Sequence, residues 1–92
     1  MKMIWSKKSL FDYDLILEQL SEKWGFAIAE DFEFNIFNLI NHIENYNHIC
    51  PKSKIKKFHK CVINKHISMI YKLENKKLVL ITFLFNKASH FY

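Results

Sequence analysis

Arginine is missing altogether: all fourteen basic residues of the 92-residue chain are lysines. This removes the planar fork that grips phosphate or carboxylate with two hydrogen bonds, leaving only point charges. One glycine and one proline argue against a loop-rich or disordered chain. Two cysteines, Cys50 and Cys61, are too few for a disulfide framework and are expected as reduced thiols. The first residues, MKMIWSKKSLFDYD, lack the apolar segment of a secretory signal. The longest apolar run, Leu78 to Phe85, is far short of the ~20 residues that a bilayer span requires. These features together predict a cytoplasmic protein with no membrane contact.

What is present is a core. Half of the residues are hydrophobic and nine are phenylalanine. A single domain of residues 1–92 is expected, burying about 60–65% of its unfolded surface. The formal charge of +5 points to an acidic partner, whether nucleic acid, an acidic protein or a membrane surface, and composition does not choose among them.

The pattern of apolar residues predicts the order β-α-α-β-β-β. Met1 to Trp5 reads as a short strand. Ser6 is placed to cap a helix in which Leu10, Tyr13, Leu17, Leu20 and Trp24 recur at spacings of three and four. Gly25 ends it, and a second helix runs from about Ala27 to Tyr46. There Ala29, Phe32, Ile36, Leu39 and Ile43 form one stripe, widened by Phe34, Phe37 and Ile40. Phe32, Phe34 and Phe37 are expected in the core, with Trp5 and Trp24 anchoring helix to sheet. Asn45, Asn47 and Pro51 mark the end of the second helix. The tight turn makes an antiparallel helical hairpin.

Beyond Pro51, the run KSKIKKFHK carries five lysines in nine residues. Strands are expected at Phe58–Asn64, Ile67–Leu73 and Leu78–Phe85, joined by short polar connectors that favour antiparallel hairpins. The fold class is therefore α+β, a helical hairpin packed on one face of an antiparallel sheet. The last three strands should be neighbours in sequence order. The first should flank the strongly apolar Leu78–Phe85, making that strand interior.

That strand does not alternate. Val79, Ile81, Phe83 and Phe85 point one way; Leu78, Leu80 and Leu84, with Thr82, point the other. Helices cover one sheet face only. One set packs on the helices, and the other is then either a docking surface for a partner or is covered by a curled sheet or by the C-terminal residues folding back.

Two further patterns stand out. His48-x-Cys50 and His59-x-Cys61 repeat a His-x-Cys pair, in which residues two apart share a strand face. Structural zinc sites more often use Cys-x₂₋₄-Cys, and the expectation is no metal and no cofactor, with Cys61 in the core beside His59. His66, near a turn, reads as a surface histidine.

The order of elements, with "IWSKKSLFDYDLILEQLSEKWG" and "HKCVINKHISMIYKLENKKLVLITFLFNKAS", resembles the RelE/ParE superfamily of bacterial toxins. The resemblance covers nearly the whole chain and is closer to the ParE-like branch, given the long first helix after Trp-Ser. It implies a toxin that forms a hetero-oligomer with a partly acidic cognate antitoxin and arrests growth. ParE-like members poison DNA gyrase without chemistry; RelE-like members cut messenger RNA on the ribosome. The resemblance places target-binding residues at Lys60, Tyr71, Asn86, Lys87, His90 and Tyr92. A ribonuclease reading would give catalytic roles to Lys60, Lys87, His90 and Tyr92. The absence of arginine favours the gyrase branch. Antitoxin contacts are expected at Leu78, Leu80 and Leu84 and at Lys54, Lys56 and Lys57, with the helical hairpin also contributing.

Overall fold

The computed structural model describes residues 1–88 and 91–92. The elements run β1 (Met3–Trp5), α1 (Lys7–Trp24), α2 (Phe26–Asn45), β2 (His59–Val62), β3 (Ile67–Glu74) and β4 (Lys77–Phe85). A single 3-10 turn, Asn86–Ala88, follows.

The strand order is β1-β4-β3-β2, so β4 is interior and β1 flanks it, as the apolar pattern predicts. The three C-terminal strands are antiparallel. β1 adds in parallel, because two helices lie between it and β4, and the sheet is therefore mixed. Asn75 and Lys76 both take positive φ, the backbone that a two-residue hairpin turn requires between β3 and β4.

Ser6 sets the start of α1. Its hydroxyl accepts from the Ser9 N–H at 3.0 Å and donates to the Ile81 carbonyl at 3.1 Å. One side chain thus caps the helix and ties it to the sheet. Gly25 separates the helices at φ 91° and ψ 171°, a backbone that non-glycine residues rarely adopt.

The buried face of α1 is Ser9, Tyr13, Ile16 and Leu20. Leu10 and Trp24, expected on that face, are exposed instead, and Trp24 does not anchor the core. On α2 the buried residues are Ala29, Phe32, Ile36, Ile40 and Ile43. Phe34 and Phe37, also expected inside, are 66% and 56% exposed. Both corrections have one cause: the helices rest on a sheet with a single neighbour each, and a narrow stripe suffices to pack them. Trp5 does join the core, with ring centroids 5.2 Å from Tyr13 and 5.6 Å from Phe83.

The division of β4 into two faces is corrected by a β-bulge. Tyr71 pairs with Leu80 while Ile70 pairs with Thr82, so Ile81 has no partner on β3. The extra residue shifts the alternation. Leu78 and Leu80 before the bulge, and Phe83 after it, all belong to the core shared with the helices. Leu78 and Leu80 are fully buried and are not an open docking face. Leu84, Val79 and Ile81 are half-buried. The other side of the sheet is partly closed. Ile70, which alternation turns away from the helices, is buried, while the C-terminus meets the segment before β2, where the Tyr92 carbonyl accepts from the Lys54 N–H at 2.7 Å.

A second correction concerns the cysteines, which are joined as a disulfide, Cys50–Cys61. The chain leaving α2 runs back along the free edge of β2. There Lys52 bridges His59, and the Lys60 N–H donates to the Pro51 carbonyl at 2.9 Å. Continuing that antiparallel register by two residues sets Cys50 opposite Cys61. The pairing is thus a consequence of an edge segment that runs antiparallel to β2.

Candidate functional site

α1 ends with Lys23 and Trp24 just before the Gly25 turn, and this end lies over the connection between β2 and β3. That connection is ordered by Asn64, whose side-chain carbonyl accepts from the N–H groups of His66 and Ile67 at 2.7 and 2.9 Å. The turn so formed presents His66, whose ring stacks on Trp24 with centroids 5.6 Å apart and planes 25° from parallel. β4 arrives at the same end of the sheet, where Ile67 pairs with Phe85.

These three segments line a groove of about 440 Å³. Lys23, Lys65 and Lys87 supply its charge, His66 and Trp24 one wall, and Phe85 and Gln19 the remainder. None of these lining residues is acidic. The Lys23 ammonium sits 5.7 Å from the Trp24 ring centre, an additional cation–π contact. A smaller cavity of about 320 Å³ lies on the α2 side of the Trp24–His66 pair, where Asp31 contributes an acid. The larger groove is suited to an anionic surface: cations hold phosphate or carboxylate, and a flat ring offers a stacking plane.

The expected site residues are not all gathered here. Lys87 is exposed and lines the groove. Asn86 is a clamp behind it: its Nδ2 donates to the Asn64 carbonyl at 3.0 Å, and its Oδ1 accepts from the Ser68 hydroxyl. Tyr71 is corrected outright. It is fully buried on the helix side, donates its hydroxyl proton to the Asn47 carbonyl at 2.8 Å and stacks on His59. Burial raises its pKa above the usual tyrosine value. It therefore belongs to the core and cannot meet a target. Tyr13 is similarly raised by burial, and then by its bond to Glu33.

Lys60 sits half-buried on edge strand β2. Lys54, Lys56 and Lys57 are exposed on the preceding segment, where Lys57 lies over Phe58 and the Tyr92 ring stands 6.0 Å from Phe58. Tyr92 thus belongs with this lysine segment. His90 lies outside the described residues. Trp24, Lys23, Lys65 and His66 were missed as site residues, because only the tertiary approach of the α1 end to a strand connection groups them.

Several exposed apolar residues lie on the helical hairpin: Leu10, Phe11 and Leu15 on α1, and Phe34 and Phe37 on α2. Phe34 and Phe37 are three residues apart and so adjacent on the helix surface. No helix among the described residues is long and apolar enough to cross a membrane.

No family model matches the sequence, and no curated protein matches it. Solved structures do. A chain of the chromosomal ParDE TA system from P. aeruginosa superposes with a TM-score of 0.78 at 15% identity, covering 92% of this chain and 95% of that one. A YoeB/ParE toxin from Agrobacterium tumefaciens gives 0.69 at 16% identity, covering 94% and 99%. A chain of the YoeB-YefM complex from Staphylococcus aureus gives 0.62 at 12%, covering 91% and 94%. With a helical hairpin on a four-stranded mixed sheet, matched over nearly its whole length, this chain has the fold of the RelE/ParE toxins.

Proposed function

We propose that this protein is the toxin of a type II toxin–antitoxin pair, acting in the cytoplasm as a non-catalytic poison of DNA gyrase and held inactive by a cognate antitoxin. The observation that carries this reading is the lysine-lined groove at one end of a RelE/ParE-type sheet. The groove has charge and a stacking plane for an anionic target but no arginine fork to hold a scissile phosphate. Tyr71, the tyrosine that the resemblance would bring to the target, is committed to the core.

The antitoxin has two complementary surfaces. Phe34 and Phe37 on α2, and Leu10 and Phe11 on α1, offer exposed apolar side chains on the hairpin. The exposed Lys54, Lys56 and Lys57 offer charge to an acidic segment. Leu84 contributes at most an edge, being half-buried.

Purified toxin added to a gyrase supercoiling assay tests the target. Inhibition that is lost in Lys65→Ala/Lys87→Ala supports the proposal; full supercoiling at saturating wild-type toxin rejects it. One observation favours a second reading. His66 stands in the groove among three lysines, and histidine with cations can supply a proton acceptor and phosphate stabilisation for ribosome-dependent messenger cleavage. Cleavage in a translation extract that vanishes in His66→Ala would establish that reading instead.

A further inference from the structure

The disulfide region holds more than a cross-link. Cys50 and Cys61 are joined and nearly fully buried, and His59 lies two residues before Cys61 on the same strand face. His48 lies two residues before Cys50, and its ring centroid is 5.5 Å from that of His59. Two His-x-Cys pairs, eleven residues apart in sequence, therefore converge in space.

His59 carries the decisive detail. It is 3% exposed, and its Nδ1 is 2.7 Å from the Cys50 carbonyl oxygen. A carbonyl only accepts, so Nδ1 bears the proton, an arrangement that in the neutral ring leaves the lone pair on Nε2. That Nε2 is buried and has no hydrogen-bond partner among the described residues. An orphaned buried acceptor is costly and uncommon. A ring whose one nitrogen donates to a backbone carbonyl while the other is held open is the usual arrangement of a metal-bound histidine. The Tyr71 ring, stacked on His59 at 4.9 Å, fixes the plane.

We propose that the reduced protein binds one Zn²⁺ through Cys50, Cys61, His59 Nε2 and His48. While the disulfide is closed, no group of three or more metal-ligating side chains is available among the described residues. Opening it requires a two-electron reductant, such as a cellular dithiol. The dithiol donates two electrons and two protons, becomes a disulfide, and leaves two protein thiols. Zn²⁺ then displaces both thiol protons to solvent and forms two Zn–S bonds. Two thiolates on one tetrahedral zinc stand about 3.8 Å apart, given Zn–S bonds of about 2.3 Å. That asks only for a small separation of segments that the β2-edge register already holds together. The same four residues are thus a disulfide with an idle histidine when oxidised, and a Cys₂His₂ centre when reduced. The reduced form is the one that a reducing compartment favours.

Cobalt titration tests this. The full chain is reduced with a phosphine under oxygen-free conditions and titrated with Co²⁺. The expected result is one equivalent bound, with strong visible absorption of tetrahedral cobalt and a thiolate-to-cobalt charge-transfer band, both erased by one equivalent of Zn²⁺. The oxidised protein should give neither. Cys61→Ser should abolish the charge-transfer intensity of two thiolates. His48→Ala, an exposed position whose replacement leaves the core intact, should weaken Co²⁺ binding about tenfold or more. His59→Gln should do the same. A reduced wild type that shows no tetrahedral cobalt spectrum overturns the proposal, as does an unchanged spectrum in either histidine variant.

Discussion

Leu80→Ala distinguishes a buried β4 from one with an open leucine face. Leu80 is 0% exposed, pairs with Trp5 on one side and Tyr71 on the other, and lies beneath the helices. Truncating such a leucine loses the transfer energy of its removed carbons and leaves a cavity, together about 3–4 kcal/mol. For a domain of this size that corresponds to a fall in Tm of about 12–30 °C. Urea unfolding followed by far-UV circular dichroism reads the loss as a lower midpoint at unchanged slope. Phe34→Ala and Phe37→Ala provide the contrast. Both residues are mostly exposed, and their truncation should cost within about 0.5 kcal/mol of stability. If they anchor the antitoxin, each should still weaken its binding by about 2 kcal/mol, or roughly thirtyfold. A Leu80→Ala loss below about 1 kcal/mol would refute the bulged register and restore Leu80 to an outward face.

Ser6→Ala removes both a helix cap and the bond to the Ile81 carbonyl, and should cost about 1–2 kcal/mol in the same unfolding assay. Gly25→Ala meets no atom but must adopt φ 91°, so backbone strain alone should destabilise the protein by about 1–3 kcal/mol. The raised pKa values of Tyr13 and Tyr71 mean that the folded state holds phenol protons which the unfolded chain releases near pH 10. Their contribution to stability is complete below that pH and declines as pH rises above it, by up to about 1.4 kcal/mol per unit for each group. Tyr13→Phe should flatten this alkaline decline in pH-dependent unfolding; an unaltered slope would show that Tyr13 is not raised.

The architecture was legible because its signals are local. Ser6 and Gly25 punctuate the helices, and the strongly apolar run of β4, interrupted only by Thr82, announces an interior strand. The faces were less legible. An extra residue at Ile81 reverses which side of β4 meets the helices, yet Ile81 has no composition that marks a bulge. Phe34 and Phe37 look like core by spacing, but burial depends on how many neighbours a helix has. The disulfide follows from the edge register of Lys52 with His59, a tertiary feature that nothing in the composition of this lysine-rich segment marks. The groove was half visible. Lys87 was flagged through the resemblance, whereas Trp24, Lys65 and His66 meet only when the end of α1 reaches the β2–β3 connection, a contact spanning some forty residues of sequence.

The central claim is that this lysine groove acts on a cellular target. Tightly controlled expression of the chain in a bacterium without an antitoxin, followed by viable counts, tests it most directly. Wild type should arrest growth, and Lys65→Ala/Lys87→Ala, folded and produced at the same level, should not. Unimpeded growth with wild type, or equal arrest by the double variant, would contradict the account.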